Sequence, residues 1–110
     1  MPTPDNQRKN KRAYHLKPTW VTLKGTLFEV NDVSSGGIGV VLERGTPEFV
    51  TGERLDHIPL ELTTGPVSLR GVVSHISVST SRTVCGIRFL LAGDDYDTVM
   101  QFKKEREIFN

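Results

Sequence analysis

Residues Trp20 to Leu42, WVTLKGTLFEVNDVSSGGIGVVL, decide the fold. β-branched and aromatic side chains dominate them, so Trp20 to Leu23 and Thr26 to Val33 read as two strands separated at Gly25. Gly36 and Gly37 then turn the chain into a third strand, Ile38 to Leu42.

The pattern continues downstream. ERGTPEFVTGERLD, residues 43–56, is loop-like, with two glycines and a proline. Beyond it Ile58, Leu60 and Leu62 alternate with Pro59 and Glu61 as in a half-buried strand, and Pro59 places that strand at an edge. Thr64, Gly65 and Pro66 make a turn into a long strand, Val67 to Val78. The polar connection STSR leads to a last strand, Val84 to Leu91, with Cys85, Ile87 and Phe89 sharing one face. Arg88 projects opposite them and is not assigned to any site. Strands with turn signals at such short spacing favour a closed or nearly closed antiparallel barrel, because closure removes exposed sheet edges. Trp20 is expected in its packing.

The two ends of the chain differ. Gly93, Asp94 and Asp95 precede Tyr96, Val99, Met100 and the run KKERE, which predicts an N-capped amphipathic helix over about 95–108 packed on the barrel through Tyr96, Val99 and Met100. Met1 to Arg12 carries four cations, Arg8, Lys9, Lys11 and Arg12, and almost nothing to bury, as expected of a flexible arm. The expected plan is all-β: a cationic arm at 1–12, then a six- or seven-stranded antiparallel barrel domain at 13–110 carrying one C-terminal α-helix.

Bulk properties narrow the function. A chain of 110 residues has material for one core, and a net charge of +1 excludes a globally basic nucleic-acid binder. Cys85 is the only cysteine, which excludes an intramolecular disulfide and a Cys-rich zinc site; a small buried residue is expected there. His15, His57 and His75 lack metal-ligand spacing, so no metal is expected. The N-terminus lacks the apolar stretch of a secretory signal and no run of about 18 apolar residues exists, so a cytoplasmic protein without membrane insertion is expected. Ser, His and Asp occur without a Gly-x-Ser-x-Gly elbow, a P-loop or an arguable acid pair, and no enzyme is expected.

Two local patterns carry chemistry. Arg8 and Arg12 put two planar forks on one segment, each able to donate paired bonds to phosphate or to guanine O6 and N7, or to stack on a base. Alone, the pair reads more readily as a solvated basic tail than as a specific site. Asp32 and Ser34 stand two apart, and on a strand they share a face. The carboxylate can accept from guanine N1 and N2, and a nearby glycine lets a ligand approach the backbone. Alone, this too is an ordinary polar turn.

Together the patterns resemble the PilZ family, whose signature is Arg-x-x-x-Arg followed some twenty residues later by Asp/Asn-x-Ser-x-x-Gly. Arg8, Arg12, Asp32, Ser34 and Gly37 match every specified position, and Gly86 and Phe89 match a Gly-x-x-Phe near the last strand. Within the family the chain is most similar to the C-terminal domain of YcgR-like flagellar brake proteins, judging by LDHIPLEL, SHISVS and FKKERE. The resemblance implies a six-stranded barrel in which Arg8 and Arg12 hold guanines and phosphates of cyclic di-GMP while Asp32, Ser34 and Gly37 engage a guanine on the barrel surface. Lys9, Gly36 and His75 are weaker ligand candidates, His75 because its strand contributes a residue near the base in some relatives. No cofactor is implied beyond this ligand. Lys11 and Ala13 flank Arg12 where relatives often carry bulkier apolar residues, so the arm is expected to be less firmly anchored.

The function implied is a receptor or adaptor whose arm changes conformation on binding and signals to another protein, of the flagellar or polysaccharide machinery, as monomer or homodimer. No YcgR-type N-terminal domain is expected within these 110 residues, and the output is expected to pass to a separate partner. A PilZ-like interaction scaffold that binds no nucleotide is the alternative. A small nucleic-acid-binding barrel using the arm cations, with Tyr14 or Trp20 as a stacking platform, is the second.

Overall fold

The computed structural model describes residues 14–43 and 48–109. The elements are β1 Tyr14–Leu16, β2 Trp20–Leu23, β3 Thr26–Val33, β4 Gly37–Leu42, β5 Arg54–Leu62, β6 Gly65–Val78, β7 Thr83–Phe89, α1 Asp95–Arg106 and β8 Glu107–Phe109. Six strands form one antiparallel sheet in the order β2-β3-β4-β7-β6-β5. Its two edge strands, β2 and β5, curl round to face each other, so the sheet is a nearly closed barrel. Pro59 sits in β5, at that edge.

Alternation fills the interior. Val21 and Leu23 from β2, Phe28 and Val30 from β3, Ile58 and Leu60 from β5, Leu69 and Val73 from β6, and Cys85, Ile87 and Phe89 from β7 are all buried. Burial raises the Cys85 thiol pKa to about 11, so at neutral pH it is a protonated packing group. Trp20, by contrast, lies outside the barrel: the register puts Val21 and Leu23 inward, which turns Trp20 outward at 55% exposure, paired with Glu29. The loop after β4 contributes to the core as well. Phe49 is buried with its ring 5.5 Å from Phe28 in a T-shaped contact, and Lys24 Nζ lies 4.4 Å from the Phe49 ring centre. The strand after this loop begins at Arg54, and the following turn is Thr63–Thr64, with Leu62 paired to Gly65.

Helix α1 packs near β5 through Val99 and Phe102, while Tyr96 and Met100 are exposed. Of the expected stripe Val99 is buried, while Phe102, three residues further on, packs in place of Tyr96 and Met100. Asp94 occupies the N-cap without a side-chain cap bond; Asp95 instead accepts from Ala92 N–H at 3.0 Å. Glu105 ties the helix to the β5–β6 turn, accepting from Thr63 N–H at 3.1 Å and from its hydroxyl at 2.9 Å. The helix ends at Arg106. Glu107 is already extended, and Glu107–Phe109 pairs as β8 with β1, Tyr14 opposite Phe109. The β-prone residues Ile108 and Phe109 find a partner strand there, which outweighs continuing the helix to Ile108.

Candidate functional site

Two bulges build the site. By simple alternation Phe28, Val30 and Asp32 would all point into the barrel. Val30 pairs with Val40 but Asp32 pairs with Gly39, so β3 carries one extra residue, Asn31, and Asp32 is turned to the outer face. β6 repeats the device. Val73 pairs with Ile87 and His75 with Gly86, which makes Ser74 the extra residue and turns His75 outward as well.

The registers then align one row across four strands: Asp32 on β3, Gly39 on β4, Gly86 on β7 and His75 on β6. Both end residues lean in over the glycines. A methyl group on Gly39 would stand 2.5 Å from Asp32 Oδ2, and one on Gly86 would collide with the His75 ring at Cε1, 2.7 Å from Nδ1 and 2.8 Å from Nε2. The result is an open groove of about 300 Å³ with a bare peptide floor. Asp32, Ser34, Gly36, Gly37, Ser74, His75 and Arg88 contribute to its lining.

Each wall group has a distinct environment. Asn31 donates to Asp32 Oδ2 at 2.8 Å and accepts from Arg82 Nη1 at 2.9 Å, so the β6–β7 turn braces the carboxylate through the bulge. Ser34 closes its own turn: its hydroxyl accepts from Gly36 and Gly37 N–H at 3.3 and 3.2 Å, and its N–H donates to Gly37 O at 2.9 Å. Gly37 lines the groove, but its missing side chain points elsewhere: a Cβ there would collide with the carbonyl oxygen of Ile87. That glycine is demanded by the close approach of β4 and β7. Ser74 Oγ lies 3.1 Å from Gly86 O and 3.0 Å from His75 Nδ1. Among the described residues Arg88 makes no hydrogen bond or ion pair and is the one Lys or Arg that lines the groove.

Of the residues expected at the site, Asp32, Ser34, Gly36, Gly37 and His75 are brought to this groove. Arg8, Lys9 and Arg12 lie outside the described residues. Ser74, Gly39 and Arg88 were not foreseen as lining. Arg88 stands opposite the Ile87/Phe89 face, which is the one sequence signal that could have placed it. Among the described residues no three His, Cys, Asp or Glu side chains gather as a metal site, and no helix is long and apolar enough to cross a membrane.

The chemistry of the groove suits a planar polar ligand with hydrogen-bond donors on its edge. Comparison with known proteins agrees with the fold. The PilZ domain of YcgR from Escherichia coli, with c-di-GMP, superposes with a TM-score of 0.64 at 18% identity over 84% of this chain and 87% of that one. YcgR from Escherichia coli in complex with c-di-GMP gives 0.62 at 19% identity, covering 84% of this chain and 43% of YcgR. MrkH from K. pneumonia in its apo state gives 0.57 at 19% identity, covering 86% and 49%. The chain thus spans less than half the length of the longer YcgR and MrkH chains. No curated protein sequence matches it. The family profile described as PilZ domain matches residues 6–102, nearly the whole chain, and with the barrel and groove in view the chain belongs to the PilZ domain family.

Proposed function

We propose that this chain is a cyclic di-GMP receptor in which a guanine lies on the Gly39–Gly86 floor with its Watson–Crick edge toward Asp32. The observation that carries the reading is the juxtaposition of Asp32, Ser34 and Gly37 at one glycine-floored groove within a PilZ barrel. Asp32 accepts from guanine N1–H and N2–H, Ser34 and Gly37 hold the turn that frames the groove, and Arg88 meets the ligand's negative charge. Arg8 and Arg12 close over the outer side, gripping phosphates and the guanine Hoogsteen edge. Both YcgR structures similar to this fold contain c-di-GMP, which supports the same ligand here.

Binding makes and breaks no covalent bond. Ordering of residues 1–12 against the barrel is the output, and it changes the surface offered to a partner protein. The test is calorimetric titration with cyclic di-GMP and with GTP, on wild type and on Arg8→Ala/Arg12→Ala. Binding of the cyclic dinucleotide with a loss of about ten- to a hundredfold per arginine removed is the expected result. Wild-type protein that takes up no cyclic di-GMP would leave an interaction scaffold; oligonucleotide binding with steep salt dependence would favour the nucleic-acid reading.

A further inference from the structure

We infer that Ser74 locks His75 as its Nδ1–H tautomer, making the free Nε2 a hydrogen-bond acceptor in the groove that, with Asp32, selects a ligand edge bearing two donors. The inference rests on the proposed ligand only in its last clause. The first follows from hydrogen-bond arithmetic. Ser74 Oγ has one proton and two lone pairs. Its neighbours are the Gly86 carbonyl at 3.1 Å, which can only accept, and His75 Nδ1 at 3.0 Å. The hydroxyl donates to Gly86 O, the only arrangement that satisfies both contacts, and therefore accepts from Nδ1–H. In the neutral ring Nε2 is then unprotonated.

The bulge makes this possible. Ser74 is the inserted residue between the Val73–Ile87 and His75–Gly86 pairs, so it and its neighbour both reach the outer side, hydroxyl beneath and ring above Gly86. Nε2 lies over the glycine floor and has no hydrogen bond among the described residues. The charged groups facing it are Asp32 from β3 and Arg88 from β7. Two acceptors thus flank the floor and one cation stands beside it. Asp32 takes guanine N1–H and one N2 hydrogen, which leaves the second hydrogen of the N2 amine for His75 Nε2; adenine has an amine but no ring N–H beside it, so the pair favours guanine, and phosphate is repelled from the floor toward Arg88.

The tautomer is tested on the unliganded protein. Long-range ¹H–¹⁵N correlation spectra of the imidazoles at about pH 8, well above the usual histidine pKa, should show His75 protonated at Nδ1. Ser74→Ala should shift it toward the Nε2–H form that free histidine prefers, with the fold checked by amide spectra. His75 protonated at Nε2 in wild type would overturn the lock. For the ligand clause, cyclic di-GMP affinity should fall about three- to tenfold in Ser74→Ala and in His75→Ala, with Ser74→Ala adding nothing in the His75→Ala background. Additive losses would mean that Ser74 acts on the ligand or fold and not through His75. An unchanged affinity in His75→Ala would refute the acceptor role. A wild type that binds no cyclic di-GMP refutes the proposed function, while the spectra still decide the tautomer.

Discussion

Asp32 lays its carboxylate over Gly39, its partner across β3 and β4, so closely that a methyl group on Gly39 would stand 2.5 Å from Oδ2. The glycine is what allows the acid to lean inward over the groove. Gly39→Ala should push that flexible carboxylate off the floor at little cost to the fold, while weakening cyclic di-GMP binding about tenfold or more. Gly37→Ala is the contrast. Its methyl group meets the backbone carbonyl of Ile87 within the β4–β7 ladder, so it should lower the melting temperature markedly before any ligand is added. Melting curves and titrations on the two variants check both halves; equal behaviour would contradict the geometry.

Arg88, at the groove's edge on the outer face of β7, is a cation unpaired among the described residues. A group without internal partners contributes little to stability, so Arg88→Ala should leave unfolding unchanged within about 0.5 kcal/mol. Its loss should reduce cyclic di-GMP affinity about ten- to a hundredfold and flatten the dependence of affinity on salt. Arg54→Ala is the control. Arg54 pairs with Asp56 at 2.8 Å on the exposed face of β5, away from the groove lining, and its loss should alter neither.

The loop between β4 and β5 holds part of the core. Lys24, at the β2–β3 turn with φ +53, donates to Glu48 O at 2.6 Å, pairs with Glu53 and covers the buried Phe49 ring. Phe49→Ala should therefore cost about 3–5 kcal/mol, as for a core phenylalanine, rather than the near-zero cost of a loop substitution. Chemical denaturation measures it.

What was legible in the sequence was periodic. Cys85, Ile87 and Phe89 announce a core face by their spacing, and the barrel follows from several such faces. Asp32, Ser34 and Gly37, which the structure gathers at one groove, stand out in the sequence because their spacing matches a family signature. Phe49 was hidden because its segment carries the glycines and proline of a solvent loop, and its burial depends on Lys24, twenty-five residues upstream. Trp20 was misjudged because an aromatic on a strand fits either face until the register is known. The row joining Asp32 to His75 depends on two bulges, at Asn31 and Ser74, that shift parity by one residue. Nothing in the composition of those strands marks where the extra residue goes. The same limit hid Ser74; Arg88 reads as facing outward, and only the strands beside it show that this face lines the groove.

Two carboxylates should set the acid limit of stability. Glu105 is held below its ordinary pKa of 4.5 chiefly by the Gln101 side chain and then by Thr63. Glu53 is held below 4.5 chiefly by Lys24, then by the Val50 N–H. In each case the folded state binds its proton more weakly than the unfolded chain. The stabilisation is therefore fully present above pH 4.5 and is lost as pH falls below that value through the folded-state pKa. Between about pH 6 and about pH 3 the wild-type melting temperature should fall, steepest below the ordinary carboxylate range. Glu53→Gln/Glu105→Gln should start lower at the upper end, where its two contacts are already weakened, and lose less over the same interval. Parallel curves for wild type and variant would mean that other carboxylates carry the acid sensitivity. Because both groups lie away from the groove lining, the same variant should keep the wild-type affinity for cyclic di-GMP near neutral pH.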